Sequence, residues 1–412
     1  MPEFLTLLPP DAARQILIEA VTALPINVEM VSLLAAQGRV SAVDIKAPHA
    51  LPLFPRSTVD GYAVKARDTF GASDSLPGYL EILGEVPMGA APGFTVTEGN
   101  CAIIHTGGML PDGADAVLML EYTQVSRPGQ IEIQRSVAIG ENTITIGEDV
   151  AEGQVVVHMG QTIRPAEIGG LAALGILQLG VIKRPVVAII SSGDEVIEPG
   201  GNPVMGQVRD INSYSLAALV NAHGGEAVMV GIVPDNFEAL LQAAKAALAM
   251  ADMVLITAGS SASTRDMTAN VIDALGEPGV LVHGINTRPG KPTILGAVGG
   301  KPVIGLPGNP VSALVNGYLF VLPLLAKLLS KPAQANQPTI KAVLSLNLPS
   351  QAGREDWQPV RLIHNPNGLI AEPIFGKSNL IFTLAAADGL IRIHPDANGI
   401  SAGELVDVYP ID

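Results

Sequence analysis

The 412-residue chain contains one cysteine, Cys101. A single thiol excludes an internal disulfide and any site in which several cysteines of one chain hold zinc or an iron–sulfur cluster. Any sulfur chemistry would have to come from a ligand. Long apolar runs are missing too, since none reaches the ~18 residues that a membrane span needs. The nearest candidates, 168–182 and 313–326, are interrupted by glycines and Gln178 and by Asn316 and Pro323, and both read as buried elements. The opening Met1-Pro-Glu-Phe has no basic stretch followed by an apolar core. No secretory signal is visible, so the cytoplasm is the expected compartment and no membrane partner is expected. Positive charge is also scarce, with 24 Lys and Arg against 39 Asp and Glu and a formal net charge of -15. Without a basic face there is no general nucleic-acid binding. A few focused cations and helix N-termini still admit small anions.

What is present points to a multidomain globular enzyme. The length implies roughly two to four domains. Glycines and prolines, 44 and 32 of them, are spread along the chain and predict many short elements joined by tight turns. Residues 11–24 are periodic as a helix, with Asp11 placed to cap it and Pro25 to end it. From residue 47 to about 150, short apolar runs (79–86, 101–105, 116–120, 130–133) between Gly, Pro and Asp turns predict a β-rich region. Residues 153–183 offer a strand, a helix over 165–174 with Pro165 near its first position, and a second strand. Over 184–332 the rhythm changes. Strands at 186–190, 227–232, 253–257 and 303–306 alternate with helices at 213–222, capped by Asn212, and at 237–249, 267–275 and 311–329. That alternation predicts a largely parallel sheet wrapped by helices. A Pro-flanked linker over 330–338 leads to short β runs over 339–412, read as a small barrel or sandwich.

In an open parallel sheet, ligands bind beyond the carboxyl ends of the strands. Each predicted strand of 184–332 is followed by a polar or Gly-bearing loop: Ser191-Ser192-Gly193-Asp194-Glu195, Pro234-Asp235-Asn236, Ala258-Gly259-Ser260-Ser261-Ala262-Ser263 and Pro307-Gly308-Asn309-Pro310. Three run straight into helices, which present free N–H groups and a positive dipole end to an anion. Each loop alone reads as an ordinary turn or cap. Together they mark an anion or nucleotide site. Asp194, Glu195, Asp235 and Asp266 are candidate ligands for Mg²⁺, a hard cation content with few carboxylates. Arg288 and Lys291, tied by Pro289-Gly290, suit a phosphate or tetrahedral oxyanion better than a mobile surface pair would.

At these loops the sequence resembles the molybdopterin molybdenumtransferase family, which includes the C-terminal domain of gephyrin. The matching segments are Pro55-Arg-Ser-Thr-Val-Asp60-Gly-Tyr-Ala63, Thr106-Gly-Gly-Met-Leu-Pro-Asp-Gly-Ala-Asp115, Gly147-Glu-Asp149, Ser192-Gly-Asp-Glu195, Arg288-Pro-Gly-Lys-Pro292 and Leu306-Pro-Gly-Asn-Pro-Val-Ser-Ala313, followed by Gly353-Arg-Glu355 and Ser378. The resemblance runs from about Leu51 to Gly403 with order and spacing kept.

The resemblance implies a multidomain α/β and β fold. Its parts would be an N-terminal helix with a small split linking domain (1–46 and 151–183), an inserted β-rich domain (47–150), a molybdopterin-binding α/β domain with a mostly parallel sheet (184–332) and a C-terminal β-barrel (333–412). It further implies a homodimer in which Asp60 and Thr106 of one subunit complete the cleft of the other. The implied reaction inserts molybdate or tungstate into adenylylated molybdopterin with Mg²⁺-dependent release of AMP. Asp60, Glu195, Asp235 and Asp266 would be catalytic, with Asp235 and Asp266 on the metal. Thr106, Asp149, Gly193, Asp194, Ser261, Arg288, Lys291, Pro292, Asn309, Ser312, Arg354 and Ser378 would hold substrate. A separate molybdopterin adenylyltransferase is an implied partner.

Three segments depart from the family pattern. The Ala258–Asp266 loop replaces Gly-Gly-x-Ser-x-Gly-x-x-Asp and adds Arg265, the stretch before Gly147 lacks arginines, and Gly284 stands where lysine is common. Two other functions compete. An adenylyltransferase needs only the α/β domain, and a gephyrin-like scaffold has no need of clustered acids.

Overall fold

The computed structural model describes residues 7–258, 262–332 and 338–411, without the side chains of 262–265. Helix α1 (Pro10–Ala20) begins with proline, whose missing N–H is free of cost in a first turn. The cap position is Pro9, so Asp11 is not the cap; its carboxylate instead accepts from Arg14 and Arg392. The helix stops short of Pro25 because the chain is extended at Val21 and the Thr22 N–H pairs with the Gly300 carbonyl at 2.9 Å. Ala13, Leu17 and Val21 are buried in one core with Leu295 and Ile304, so α1 packs against the α/β sheet.

Two short antiparallel ladders follow. Val28–Ser32 pairs with Gln178–Ile182, and Ile45–Lys46 with Val155–Val157. Helix α2 (Pro165–Ala173) starts with a capping box in which the Arg164 N–H donates to Glu167 at 2.9 Å. Leu33, Val157, Ile163 and Leu171 close this small core.

The region between those ladders forms its own six-stranded sheet. Its spatial order is Ala116–Met119, Gly61–Val64, Asn100–Ile104, Ser73–Glu85, Gln130–Arg135, Thr123–Arg127, antiparallel except between Ser73–Glu85 and Asn100–Ile104. It buries side chains on both faces, Leu80, Leu118, Ile131 and Ile133 in one cluster and Val86, Ile104 and Val117 in the other. Cys101 lies in the first, and burial pushes its thiol up to about 12. Because a raised thiol pKa favours the neutral form, this contribution to stability is complete below the unfolded value of ~8.5 and is lost as pH rises toward about 12. The thiolate is the nucleophile. Iodoacetamide at pH 8 should therefore leave native Cys101 unmodified and label it fully in denaturant. Equal labelling rates in the two states would contradict this burial.

In the α/β region the strands run Glu226–Val233, Val186–Ser192, Met253–Ala258, Lys301–Pro307, Ile294–Val298, Pro278–His283 across the sheet. The first four are parallel, as the alternation predicts. The last two extend the sheet antiparallel, because Gly299-Gly300, both at positive φ, close a two-residue hairpin between Val298 and Lys301. Alternate strand residues face opposite layers. Val187, Ile189, Leu255 and Ile304 meet helix α3 (Asn212–Ala222), while Ala188, Ile190, Val254 and Ile256 meet α4 (Phe237–Met250) and α5 (Ala262–Leu275). The sheet is thus doubly wound.

Helix boundaries differ from expectation at the site. Asn212 lies inside α3, and Asp210 instead accepts from the Ser213 N–H at 3.1 Å. Helix α4 carries the expected Asn cap, Asn236 accepting from Ala239 N–H. Helix α5 begins at Ala262 and not near Met267, which puts Asp266 inside it.

Helix α6 (Pro310–Asn316) continues through a wide π turn, Gly317–Val321, into α7 (Leu322–Leu328). The π turn precedes Pro323, which lacks the N–H for a regular helical bond and whose ring crowds the preceding turn. The whole helical stretch Pro310–Leu328 is 19 residues long with mean hydropathy 1.7, enough by length and composition to cross a membrane. Here it is a core helix, with Val311, Phe320, Val321 and Leu324 buried against α3 and the sheet.

The last region closes five strands, Ile340–Leu344, Glu355–Asn365, Gly368–Pro373, Gly389–Ile393 and Leu405–Pro410, into a barrel. Val360, Ala371, Ile391 and Val408 fill it. The α/β chain adds a strand to the barrel, Thr287–Arg288 pairing parallel with Glu355 and Asp356. Helix α8 (Ile381–Ala385) packs beside α6.

Candidate functional site

The loops after three of the parallel strands gather at one edge of the sheet, where Ala258 ends the remaining strand. Ser192 Oγ donates to Asp235 Oδ1 at 2.7 Å, and the Asp235 N–H donates to Asp194 Oδ1 at 3.1 Å, so the first two loops are linked. The Gly193 N–H bonds the Val233 carbonyl. Asn212 Nδ2 donates to the Gly308 carbonyl at 2.9 Å, which brings the start of α3 to the fourth loop. Ala258 is in register with Pro307, and both line a narrow crevice with Pro292 and Thr268.

The predicted acids are not all together. Asp194 and Asp235 are neighbours. Glu195 is exposed and folds its carboxylate back toward Gly193, while Asp266 is exposed on the second turn of α5. Among the described residues no group of three or more acids, histidines or cysteines is arranged to hold a metal. Ser261 lies outside the described residues, as does the Arg265 side chain.

The cations are organised by a residue that the sequence reading missed. Asp356 is buried, and its carboxylate accepts from Arg354 Nε at 2.8 Å and from Ser350 Oγ at 3.0 Å. Arg288 Nη1 stands 3.7 Å from its other side. Two guanidiniums from two domains thus share one carboxylate, leaving a local excess of one positive charge beside exposed Lys291. Charge-assisted pairing of this kind fixes orientation as well as attraction. The only sign of Asp356 in the sequence is an acid following Gly-Arg-Glu, and its role appears only with the pairing of Arg288 to Asp356. A second tie joins the domains, Asn309 Nδ2 donating to Ser378 Oγ at 3.2 Å and the Val311 N–H to the Ser378 carbonyl at 3.0 Å. Ser312 is buried one turn into α6, where its carbonyl accepts from Asn316.

Asp60 and Thr106 meet within the inserted sheet. The Thr106 N–H at 2.7 Å, and then its hydroxyl at 3.1 Å, hold the Asp60 carboxyl below the usual carboxylate range. His105 bridges from Glu85, at 3.0 Å, toward Asp60, at 3.8 Å. Gly61 is required beside this pair because any Cβ would strike the Leu118 carbonyl. Asp149 is exposed, with its N–H on the Leu51 carbonyl, in the chain's return from the inserted region.

A doubly wound α/β domain, a five-stranded barrel joined to its loop edge and an inserted β sheet define a multidomain protein of mixed α/β and β architecture. Residues 8–175 match the MoeA N-terminal region (domain I and II), 188–327 a probable molybdopterin binding domain and 341–411 the MoeA C-terminal region (domain IV). The chain belongs to the MoeA family. It is 38% identical over 392 residues to a putative molybdopterin biosynthesis protein of Methanocaldococcus jannaschii, covering 93% of this chain and 92% of the relative. It is 32% identical to the molybdopterin molybdenumtransferase of Haemophilus influenzae, covering 98% of each. The MoeA protein of Pyrococcus horikoshii OT3 superposes with a TM-score of 0.84 at 33% identity, covering 98% of this chain and 100% of that one.

Proposed function

We propose that the protein inserts molybdate, or tungstate, into the dithiolene of adenylylated molybdopterin and releases AMP. One observation carries this reading: Arg288 of the α/β edge and Arg354 of the barrel are aimed by a single buried carboxylate, Asp356, beside Lys291. That arrangement suits a tetrahedral oxyanion brought next to a nucleotide-bearing anion at helix N-termini. Its relative in Haemophilus influenzae carries the name of this activity. Both sulfurs are the substrate's, in keeping with a chain whose one thiol is buried in another domain.

Mg²⁺ would be held by Asp235, which stands beside Asp194, with Asp266 supplied from α5. It takes one or two carboxylates and completes its shell with water and phosphate, and Asp235 and Asp266 offer such hard oxygens. When bound it supplies neutralisation of charge on the leaving phosphate. The chain's own contributions are separate: Ser192 orients the Asp235 carboxylate, the Asp356-held arginines and Lys291 would bind oxyanion oxygens, Asn309 and Ser378 join the two domains, and Ser312 would add a hydroxyl near them. Incubating the purified protein with adenylylated molybdopterin, Mg²⁺ and molybdate should yield AMP and active cofactor in equal amounts. AMP without cofactor, or neither, would reject the assignment. We place the reaction in the cytoplasm, where a lone buried thiol needs no oxidant. A separate adenylyltransferase would supply the substrate.

We also propose a homodimer with shared sites. The inserted domain has hydrophobic cores of its own and keeps Asp60 and Thr106 on each other. Across a two-fold axis that pair would complete the partner's cleft. Inactive Asp60→Asn and Asp266→Asn proteins, mixed and allowed to exchange subunits, should then recover roughly a quarter to half of the activity, since each mixed dimer holds one intact site. No recovery in a sample shown to contain mixed dimers would rule out sharing.

A further inference from the structure

Asn316 is an odd residue for the middle of an apolar helix. Asn disfavours helix interiors, yet this side chain is 0% exposed. Its Nδ2 donates to the Ser312 carbonyl at 2.8 Å and to the Pro289 carbonyl at 3.4 Å, and its Oδ1 has no partner among the described residues. A leucine there would avoid the cost of an unsatisfied buried acceptor. The neighbouring chain is shaped around this amide: Gly290 has φ +107, and a Cβ on it would fall on the Asn316 side-chain nitrogen. The other side of the same turn is pinned by Thr293, whose hydroxyl and N–H both donate to the Gly290 carbonyl, and by the Ile285 N–H on the Lys291 carbonyl. Apart from the Asn316 bond to Ser312, each of these bonds ends on a backbone carbonyl between Pro289 and Lys291. The turn is therefore held from within while the Arg288 and Lys291 side chains stay exposed. The π turn starting at Gly317 follows directly, and Gly317 itself lets Leu219 approach α6 closely.

We propose that Asn316 is the positioning residue of the oxyanion site. Its amide sets the shape of the Arg288–Lys291 turn, and through that shape the spacing of the two cations, without touching substrate. The inference rests on the molybdate-insertion reading for the identity of its anion, though not for the geometry. Two variants separate positioning from packing. Asn316→Ala removes the amide, and Asn316→Leu removes it while filling the space with an apolar side chain suited to a core helix.

Both should raise the KM for molybdate about tenfold, the scale of one lost hydrogen bond, and leave the KM for adenylylated molybdopterin within about twofold. Asn316→Leu should do so with a melting temperature equal to or above that of the parent. Gly290→Ala should give the same defect, and in the Asn316→Ala background it should add less than it does alone, because the atom it meets is gone. Calorimetric titration with tungstate, which needs no turnover, should show the same loss of affinity. Unchanged molybdate KM and tungstate affinity in folded Asn316→Leu would overturn the proposal. Tungstate binding that weakens in the variants of a protein without transferase activity would instead uphold the positioning role and sink the functional assignment.

Discussion

Asp235→Asn and Asp266→Asn should each slow AMP release by at least roughly tenfold, about 1.4 kcal/mol in the barrier, with the melting temperature unchanged. An amide oxygen binds a hard cation far more weakly than a carboxylate does, while it fills the same space. At position 235 the variant oxygen still accepts from Ser192, so the link between the first two loops survives. At position 266 the fold gives a clean test. Helix α5 starts at Ala262, so Asp266 caps nothing, and its side chain is exposed. Bound adenylylated molybdopterin should accumulate in both variants. Near-normal AMP release by folded Asn proteins would remove these two residues from the chemistry and leave Asp60, Asp194 and Glu195 as the remaining candidates.

The second large effect concerns the joint between the barrel and the rest. Arg392 reaches Glu355 at 2.6 Å and Asp11 of α1 at 2.8 Å. Glu355 is 2% exposed, and its other oxygen accepts from Trp357 Nε1 at 2.7 Å. Arg392→Met strands this buried carboxylate. The expected loss is about 3 kcal/mol, the low end for a broken buried pair, since Arg392 itself is 29% exposed. Adding Glu355→Gln should return much of it, because removing both charges of a buried pair costs less than removing one. A single Arg392→Met variant as stable as the parent would show that the pair does not clamp the barrel. Glu355 stands next to Asp356, so the same variant should also weaken molybdate use.

The layout of the chain was readable from local patterns wherever local forces decide. The four parallel strands, the Asn236 cap of α4, Pro165 at the start of α2 and the five barrel strands follow from periodicity and turn chemistry. Where tertiary contacts decide, local signals mislead. Residues 262–266 read as loop from their Ser and Thr content, yet they form the first turns of α5. The Ile294–Val298 and Pro278–His283 strands escape a strict strand–helix rhythm because they form a hairpin inside it. The site divides in the same way. Arg288, Arg354, Asn309 and Ser378 stand in motifs, and the structure brings them together across the two domains. Asp356 and Asn316 were invisible as functional residues because the contact that gives each its role, with Arg288 for Asp356 and with the Pro289–Gly290 turn for Asn316, is made to a distant part of the chain. Asn316 registered only as a break in an apolar run.

The strand that the α/β region lends to the barrel has a mechanical consequence. A joint made of side chains can swing at little cost, but one made of a shared backbone ladder, Thr287–Arg288 on Glu355–Asp356, resists opening because its hydrogen bonds would break together. The inserted domain is tethered differently, by two thin chain crossings near Ala47–Gln154 and Leu51–Val150. The two connections therefore differ in kind, a backbone ladder at the barrel and two paired chain crossings at the inserted domain. If the proposed reaction holds, domain movement to admit a bulky substrate would be expected at those two crossings, because the ladder ties Arg288 to the barrel strand beside Arg354.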